Sequence, residues 1–285
     1  TLQCRQGAKC PQGSWTEDPC LPGFYQDEVG QGDCDECPIG QFCGVDSGTI
    51  TPADCGKGKY CVAGSSAEAS CALGTYNPND NSADCPTCPP GYYCDKTNGT
   101  VTPVECGVGN FCPAESKTPS KCERGSYQDS ATSPGCKECP AGKYCDILGT
   151  VTPLPCTTGY YCPANTTYPQ SHPCPMGTFN NQTDLSSEFQ CQPCSPGMYC
   201  DAAGLSAVSG ECSAGFFCGQ GSKATNPTDS NPWHVSYSGE TCISQTLKNT
   251  SVFVNDICPP AHYCPMGSRA PTPCPPGRNS TAFGM

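Results

Sequence analysis

The chain has 285 residues, of which 30 are cysteine, 32 glycine and 31 proline. Its 14 basic and 26 acidic side chains leave a net charge of −12, which disfavours nucleic acid and anionic membrane surfaces as partners. Cysteine at about a tenth of the residues marks a disulfide scaffold in place of a conventional core, which requires an oxidising compartment, secreted or facing the cell exterior.

In chain order, Cys4, Cys10 and Cys20 outline a partial module over residues 1–19. From Cys20 the gaps are 14, 3, 6, 12, 6 and 10 residues, through Cys34, Cys37, Cys43, Cys55 and Cys61 to Cys71, so a first repeat spans 20–70. A second, over 71–121, runs through Cys85, Cys88, Cys94, Cys106 and Cys112 without a change of gap. A third, over 122–173, runs from Cys122 through Cys136, Cys139, Cys145, Cys156 and Cys162 to Cys174, with one residue lost and two gained. A fourth, over 174–241, carries insertions around Cys191, Cys194, Cys200, Cys212 and Cys218, and 242–285 is a divergent partial repeat. A period of 51 to 52 residues predicts small disulfide-rich repeat modules with short β-strands and little helix, in an elongated rod-like tandem array. Thr1 opens the chain without a charged or apolar leader, as expected if a signal peptide has been removed. Array ends that fall inside a module read as a piece of a longer chain. No stretch has the length of a membrane span, so no membrane insertion is expected in this segment.

An aromatic precedes cysteine in Gly40-Gln41-Phe42-Cys43, Gly58-Lys59-Tyr60-Cys61 and Gly91-Tyr92-Tyr93-Cys94. Glycine two residues before the ring suits a turn with φ > 0 or a close backbone approach, and the ring is expected to pack on a disulfide. A ligand-binding aromatic ladder is the functional alternative. Zinc is the rival use of so many thiols. The Cys-x2-Cys pairs lack a second pair at ribbon spacing, however, and His172, His234 and His262 hold no fixed module position, so no metal site is expected.

The segments Cys37-Pro38-Ile39-Gly40-Gln41-Phe42-Cys43 and Cys162-Pro163 through Cys174-Pro175-Met176-Gly177-Thr178-Phe179 resemble ephrin-receptor-like cysteine-rich repeats. These belong to the wider growth-factor-receptor and tumour-necrosis-factor-receptor type of module. The resemblance covers residues 4–218 well and 258–280 in part. Such arrays occur in large extracellular surface proteins of protists and in mastigoneme-type flagellar appendage proteins. The resemblance implies Cys20 with Cys34, then Cys37 with Cys55 crossed by Cys43 with Cys61. The same scheme pairs Cys71 with Cys85, Cys88 with Cys106, Cys94 with Cys112, Cys122 with Cys136, Cys139 with Cys156 and Cys145 with Cys162. Spacing alone leaves open an adjacent scheme, with Cys10 to Cys20 and Cys264 to Cys274.

Between Cys218 and Cys258 the rhythm breaks, with Cys242 alone in the interval. Trp233 and the strand-like run Ser251-Val252-Phe253-Val254 make this stretch either an assembly contact or a drifted module with a long loop. Asn-x-Ser/Thr sequons at Asn98, Asn165, Asn181, Asn249 and Asn279 are expected to carry N-linked glycans. Gly48-Thr49-Ile50-Thr51-Pro52, Gly99-Thr100-Val101-Thr102-Pro103 and Gly149-Thr150-Val151-Thr152-Pro153 share one module position and suit O-linked glycans. The acidic stretches Asp27-Glu28, Asp33 to Glu36 and Asn77 to Asp84 allow at most weak Ca2+ binding, because none has EF-hand spacing.

No nucleophile elbow, zincin motif or phosphate loop is present, so neither a catalytic residue nor a cofactor-binding residue is assigned. Two readings remain. One is a structural glycoprotein that self-associates into a filament, flagellar appendage or surface coat, or assembles with other extracellular glycoproteins. The other is the stalk or ligand-binding ectodomain of a surface receptor or adhesin.

Overall fold

The computed structural model describes residues 3–44, 48–226, 256–259 and 261–275. Among them, regular structure amounts to twenty-four strands of two residues each and one 3-10 turn, Glu188–Gln190. Glycine and proline every few residues stop any strand from lengthening, and pairing is confined to antiparallel hairpins.

The chain forms two compact units, residues 1–137 with 147–152, and residues 138–146 with 153–285. In the first, Ala8–Lys9 pairs with Asp18–Pro19, Phe24–Tyr25 with Asp35–Glu36, and Gln41–Phe42 with Ala53–Asp54. Lys59–Tyr60 pairs with Ala69–Ser70, Tyr92–Tyr93 with Val104–Glu105, and Asn110–Phe111 with Ser120–Lys121. In the second, Lys143–Tyr144 pairs with Leu154–Pro155, Thr178–Phe179 with Gln192–Pro193, and Met198–Tyr199 with Gly210–Glu211. Phe216–Phe217 then pairs with Asp256–Ile257, and His262–Tyr263 with Thr272–Pro273. Bridges Thr75 to Thr87 and Tyr160 to Pro173 occupy the equivalent places in two further hairpins.

The hairpin is therefore a shorter unit than the cysteine period. Cys20, Cys37 and Cys55 each open one before Cys71 starts the next round, so one period holds three. From Cys4 to Cys212 every hairpin opens on Cys-x-x-Gly-x, usually followed by Tyr or Phe, and these glycines recur every 16 to 20 residues from Gly7 to Gly215, whereas the hairpin opened by Cys258 has Ala261 in that place, at φ 62.

Backbone bonds tie consecutive hairpins together inside each unit. The Gly23, Gly40 and Gly58 N–H groups donate to the carbonyls of Cys43, Cys61 and Asn77, one hairpin further on. In return, Gly48, Gly64 and Asn81 N–H groups donate to Cys20, Cys37 and Cys55. In the second unit Gly159, Gly177 and Gly197 repeat the pattern with Asn180, Cys200 and Cys218. Gly40 shows why this position needs glycine. It has φ +83, and a Cβ there would lie 2.2 Å from the Asn81 carbonyl oxygen. Both the turn and the close approach expected from the sequence are present.

The resemblance-derived crossed pairs are corrected. Cys37 bonds Cys43 and Cys55 bonds Cys61, in place of Cys37 with Cys55 and Cys43 with Cys61. Likewise Cys88 bonds Cys94, Cys106 bonds Cys112, Cys139 bonds Cys145, and Cys156 bonds Cys162. The reason is the left-handed glycine turn, which brings the two ends of Cys-x-x-Gly-x-x-Cys together, with Cα atoms 5.9 Å apart for Cys37 and Cys43. Cys20 with Cys34, Cys71 with Cys85 and Cys122 with Cys136 are paired in the structure as the resemblance implies. Cys174 with Cys191 is the fourth bond of that kind. The alternative end pairs are replaced by Cys4 with Cys10 and Cys258 with Cys264, and Cys274 is a free thiol among the described residues.

Pairing of Phe216–Phe217 with Asp256–Ile257 places the irregular stretch between two strands of one hairpin. Cys218 and Cys258 are 40 residues apart, against 12 for Cys43 and Cys55. Trp233, Val252, Phe253, Val254, Cys242, Asn249 and Asn279 lie outside the described residues.

Candidate functional site

Inside each unit the buried side chains are mainly cysteines, with few carbon side chains. Among the described residues, the buried apolar side chains other than cysteine are Ala8, Leu185 and Phe217. Two aromatics pack on the sulfurs as expected. Tyr161 lies against Cys174, Cys191 and Leu185 while stacking on His172, and Phe217 joins Cys258 and Cys264.

In every third hairpin from Cys20 to Cys174 the seventh residue of the motif is an amide in place of cysteine: Gln26, Asn77, Gln128 and Asn180. All four are buried. Without a thiol at that place, the leading cysteine takes its partner from the return side, 14 or 17 residues on. The amide then satisfies the backbone that the missing disulfide would have closed. Its oxygen accepts the N–H two residues on, from Glu28, Asn79, Ser130 and Gln182. Asn77 Nδ2 also donates to the Lys59 carbonyl at 2.6 Å, and Ser82 Oγ donates to Asn77 Oδ1 at 3.0 Å. Gln128 Nε2 donates to Ser133 Oγ and to the Gly135 carbonyl.

Sequence reading missed these amides because a single Asn or Gln in a loop carries no signal; the repeated Cys-x-x-Gly frame would have exposed them. Asn77→Ala removes the partner of the Lys59 carbonyl and of the Asn79 N–H, and leaves a gap where a buried amide stood. A loss of about 2–4 kcal/mol is expected. A lower urea midpoint for the oxidised protein would show it, and an unchanged midpoint would contradict the assignment.

The shared Gly-Thr-x-Thr-Pro stretch divides into two roles. The first threonine faces the interior: Thr100 and Thr150 are buried and Thr49 is half-buried. Their carbonyls accept the N–H groups of Gln26, Asn77 and Gln128 from the preceding hairpin. The second threonine, Thr51, Thr102 or Thr152, is exposed beside proline. Of the sequon asparagines, Asn98, Asn165 and Asn181 are exposed.

Several acidic side chains are held by lysines. Lys9 donates to Asp33 at 3.0 Å and lowers its pKa, helped by the Cys34 N–H. Lys59 does the same to Glu68, which also accepts the Gly56 N–H at 2.9 Å. Lys137 lowers the pKa of Asp129 in the same way. Among the described residues no group of three or more His, Cys, Asp or Glu side chains converges on a metal-sized space, and no helix is long and apolar enough to cross a membrane.

Hairpins closed by their own cystines, repeated on one motif, define the class: the chain is a cysteine-rich repeat array. Comparison with known proteins shows what it is similar to. Residues 12–55 match the family described as tyrosine-protein kinase ephrin type A/B receptor-like. The chain is 32% identical over 151 residues to the Sushi, von Willebrand factor type A, EGF and pentraxin domain-containing protein 1 of Rattus norvegicus, covering 49% of this chain and 4% of that protein. It is 29% identical over 163 residues to the human signal peptide, CUB and EGF-like domain-containing protein 3, covering 51% of this chain and 16% of that protein. It is 31% identical over 166 residues to cysteine repeat modular protein A of Toxoplasma gondii, covering 48% of this chain and 5% of that protein. The chain thus corresponds to a small part of each relative's length.

Proposed function

We propose that this chain is a non-enzymatic structural glycoprotein of the cell exterior, a disulfide-stapled building block of a filament, flagellar appendage or surface coat. One observation carries the reading: each hairpin is closed by a disulfide of its own and bonded through its backbone to the next. A chain built that way keeps its form with almost no apolar core, and it extends by adding units. So many disulfides suit an oxidising, extracellular setting. Sushi, EGF and CUB modules in the names of the relatives support a modular protein of that kind. N-linked glycans on the exposed Asn98, Asn165 and Asn181, and O-linked glycans on Thr51, Thr102 and Thr152, would keep its surface soluble and resistant to proteases.

The receptor-like match over residues 12–55 favours a second reading, the stalk or ligand-binding ectodomain of a surface receptor or adhesin. Electron microscopy of the unreduced native material separates the two. Regular filaments with side density at the sequons are the expected result. Isolated rods without lateral order would overturn the filament reading in favour of the stalk.

A further inference from the structure

We infer that Asn98 accepts a glycan only before its hairpin packs on the preceding one, whereas Asn181 remains an acceptor in the finished, oxidised chain. The inference rests on the glycoprotein reading and adds an order of events to it. In N-glycosylation the asparagine amide nitrogen attacks C1 of a lipid-pyrophosphate-linked oligosaccharide. The N–C1 bond forms, the C1–O bond to pyrophosphate breaks, and the amide gives up one proton. The transferase must grip the hydroxyl two residues on together with the asparagine, so the whole tripeptide has to be available, as in an open surface loop.

Asn98-Gly99-Thr100 meets that requirement only in its first residue. Thr100 is 0% exposed. Its Oγ1 accepts the Lys96 N–H at 3.3 Å, and its carbonyl accepts the Asn77 N–H at 2.9 Å. It also bridges Tyr76, on the preceding hairpin closed by Cys71 and Cys85. Gly99 has φ +92, and a Cβ there would overlap the Gly58 carbonyl, so the centre of the tripeptide is packed closely on the hairpin opened by Cys55. Extracting Thr100 therefore means separating two hairpins and uncovering the amide of Asn77.

Asn181-Gln182-Thr183 is the contrast. All three side chains are exposed, and Thr183 Oγ1 makes one long bond, 3.4 Å, to its neighbour Asp184. The buried amide beside it, Asn180, is satisfied through the backbone of Gln182, so the sequon side chains stay on the outer surface. Asn165 is intermediate: it is exposed at φ 66, but its N–H donates to the Cys139 carbonyl and Thr167 is half-buried.

The test uses the full chain made without glycans. One portion is kept oxidised and one is reduced and alkylated. Each is incubated with purified oligosaccharyltransferase and a lipid-pyrophosphate oligosaccharide, and occupancy is read by mass spectrometry of the glycopeptides. In the oxidised chain Asn98 should be labelled about tenfold or more below Asn181, because opening two bonded hairpins makes the competent conformer rare. In the alkylated chain the two should be labelled to similar extents. Asn77→Ala, which loosens the contact over Thr100, should raise Asn98 labelling in the oxidised chain. Equal labelling of both sites in the oxidised chain would overturn the inference. So would an unchanged deficit at Asn98 after alkylation, since the tripeptide itself would then be the poorer acceptor. Labelling of neither site in the alkylated chain would instead overturn the glycoprotein reading.

Discussion

Excess dithiothreitol at neutral pH and 25 °C, with no denaturant, should unfold this chain completely. Among the described residues the buried side chains are mainly cystine halves, with the three apolar residues Ala8, Leu185 and Phe217 and a few amides and hydroxyls beside them. Each short-loop disulfide contributes roughly 2–3 kcal/mol in the chain-entropy model, and strands of two residues have no stability of their own. Once reduced, the unit has nothing to set against the entropy of ordering a turn-rich backbone. Amide exchange is the measurement, followed at the Gly23, Gly40 and Gly58 N–H groups, which bond the next hairpin. Protection that survives reduction would show that packing, not sulfur, holds the hairpins. The same material reports the pairing. Proteolysis of the unreduced chain should release the segment 37–43 as a self-closed loop, joined to no peptide from 55–61.

The second large effect is expected at a single carbon atom. Gly40→Ala places a Cβ 2.2 Å from the Asn81 carbonyl oxygen and 2.6 Å from its carbon, on a backbone with φ +83. The neighbouring chain cannot easily retreat. Gly40 donates to the Cys61 carbonyl, Cys55 donates to the Gly40 carbonyl, and Asn81 donates to the Cys55 carbonyl. The left-handed conformation costs an alanine about 1–2 kcal/mol, and the overlap adds about 1–3 kcal/mol more. Two controls divide these contributions. Gly13 has φ +86 with nothing within 4 Å, so Gly13→Ala should lose only the conformational part. Gly135 has open space and no left-handed φ, so Gly135→Ala should be near neutral. Secretion yield and urea midpoint should rank the variants in that order. Equal losses for Gly40→Ala and Gly13→Ala would remove the close approach from the account.

Much of this was legible from residue types alone. A thiol every few residues, with glycine and proline between, leaves only a disulfide-closed, turn-dominated chain, because no segment is apolar enough to form a core. The glycine two residues before each aromatic announced a tight turn, and Gly40 and Gly58 take it up. Cys20 with Cys34 followed from the module that the chain resembles.

The crossed pairs did not follow, and the reason is geometric. Spacing states how far apart two thiols are along the chain, whereas the left-handed turn at Gly40 decides which two meet. The three-hairpin content of each period was hidden for a related reason. Gln26, Asn77, Gln128 and Asn180 stand where the other hairpins have cysteine, so counting cysteines alone groups three structural units into one. Thr100 and Thr102 look alike in sequence, yet one is sealed under the preceding hairpin and the other faces solvent.

By itself the sequence determined the chemistry of stabilisation, the repeat and the candidate glycan sites, because these depend on which residues are present and how they are spaced. Only the tertiary structure decided which sulfurs join, which amides replace them and which sequon threonine is sealed. Those depend on backbone approaches between successive hairpins, through glycines whose missing side chain has no other trace in the sequence.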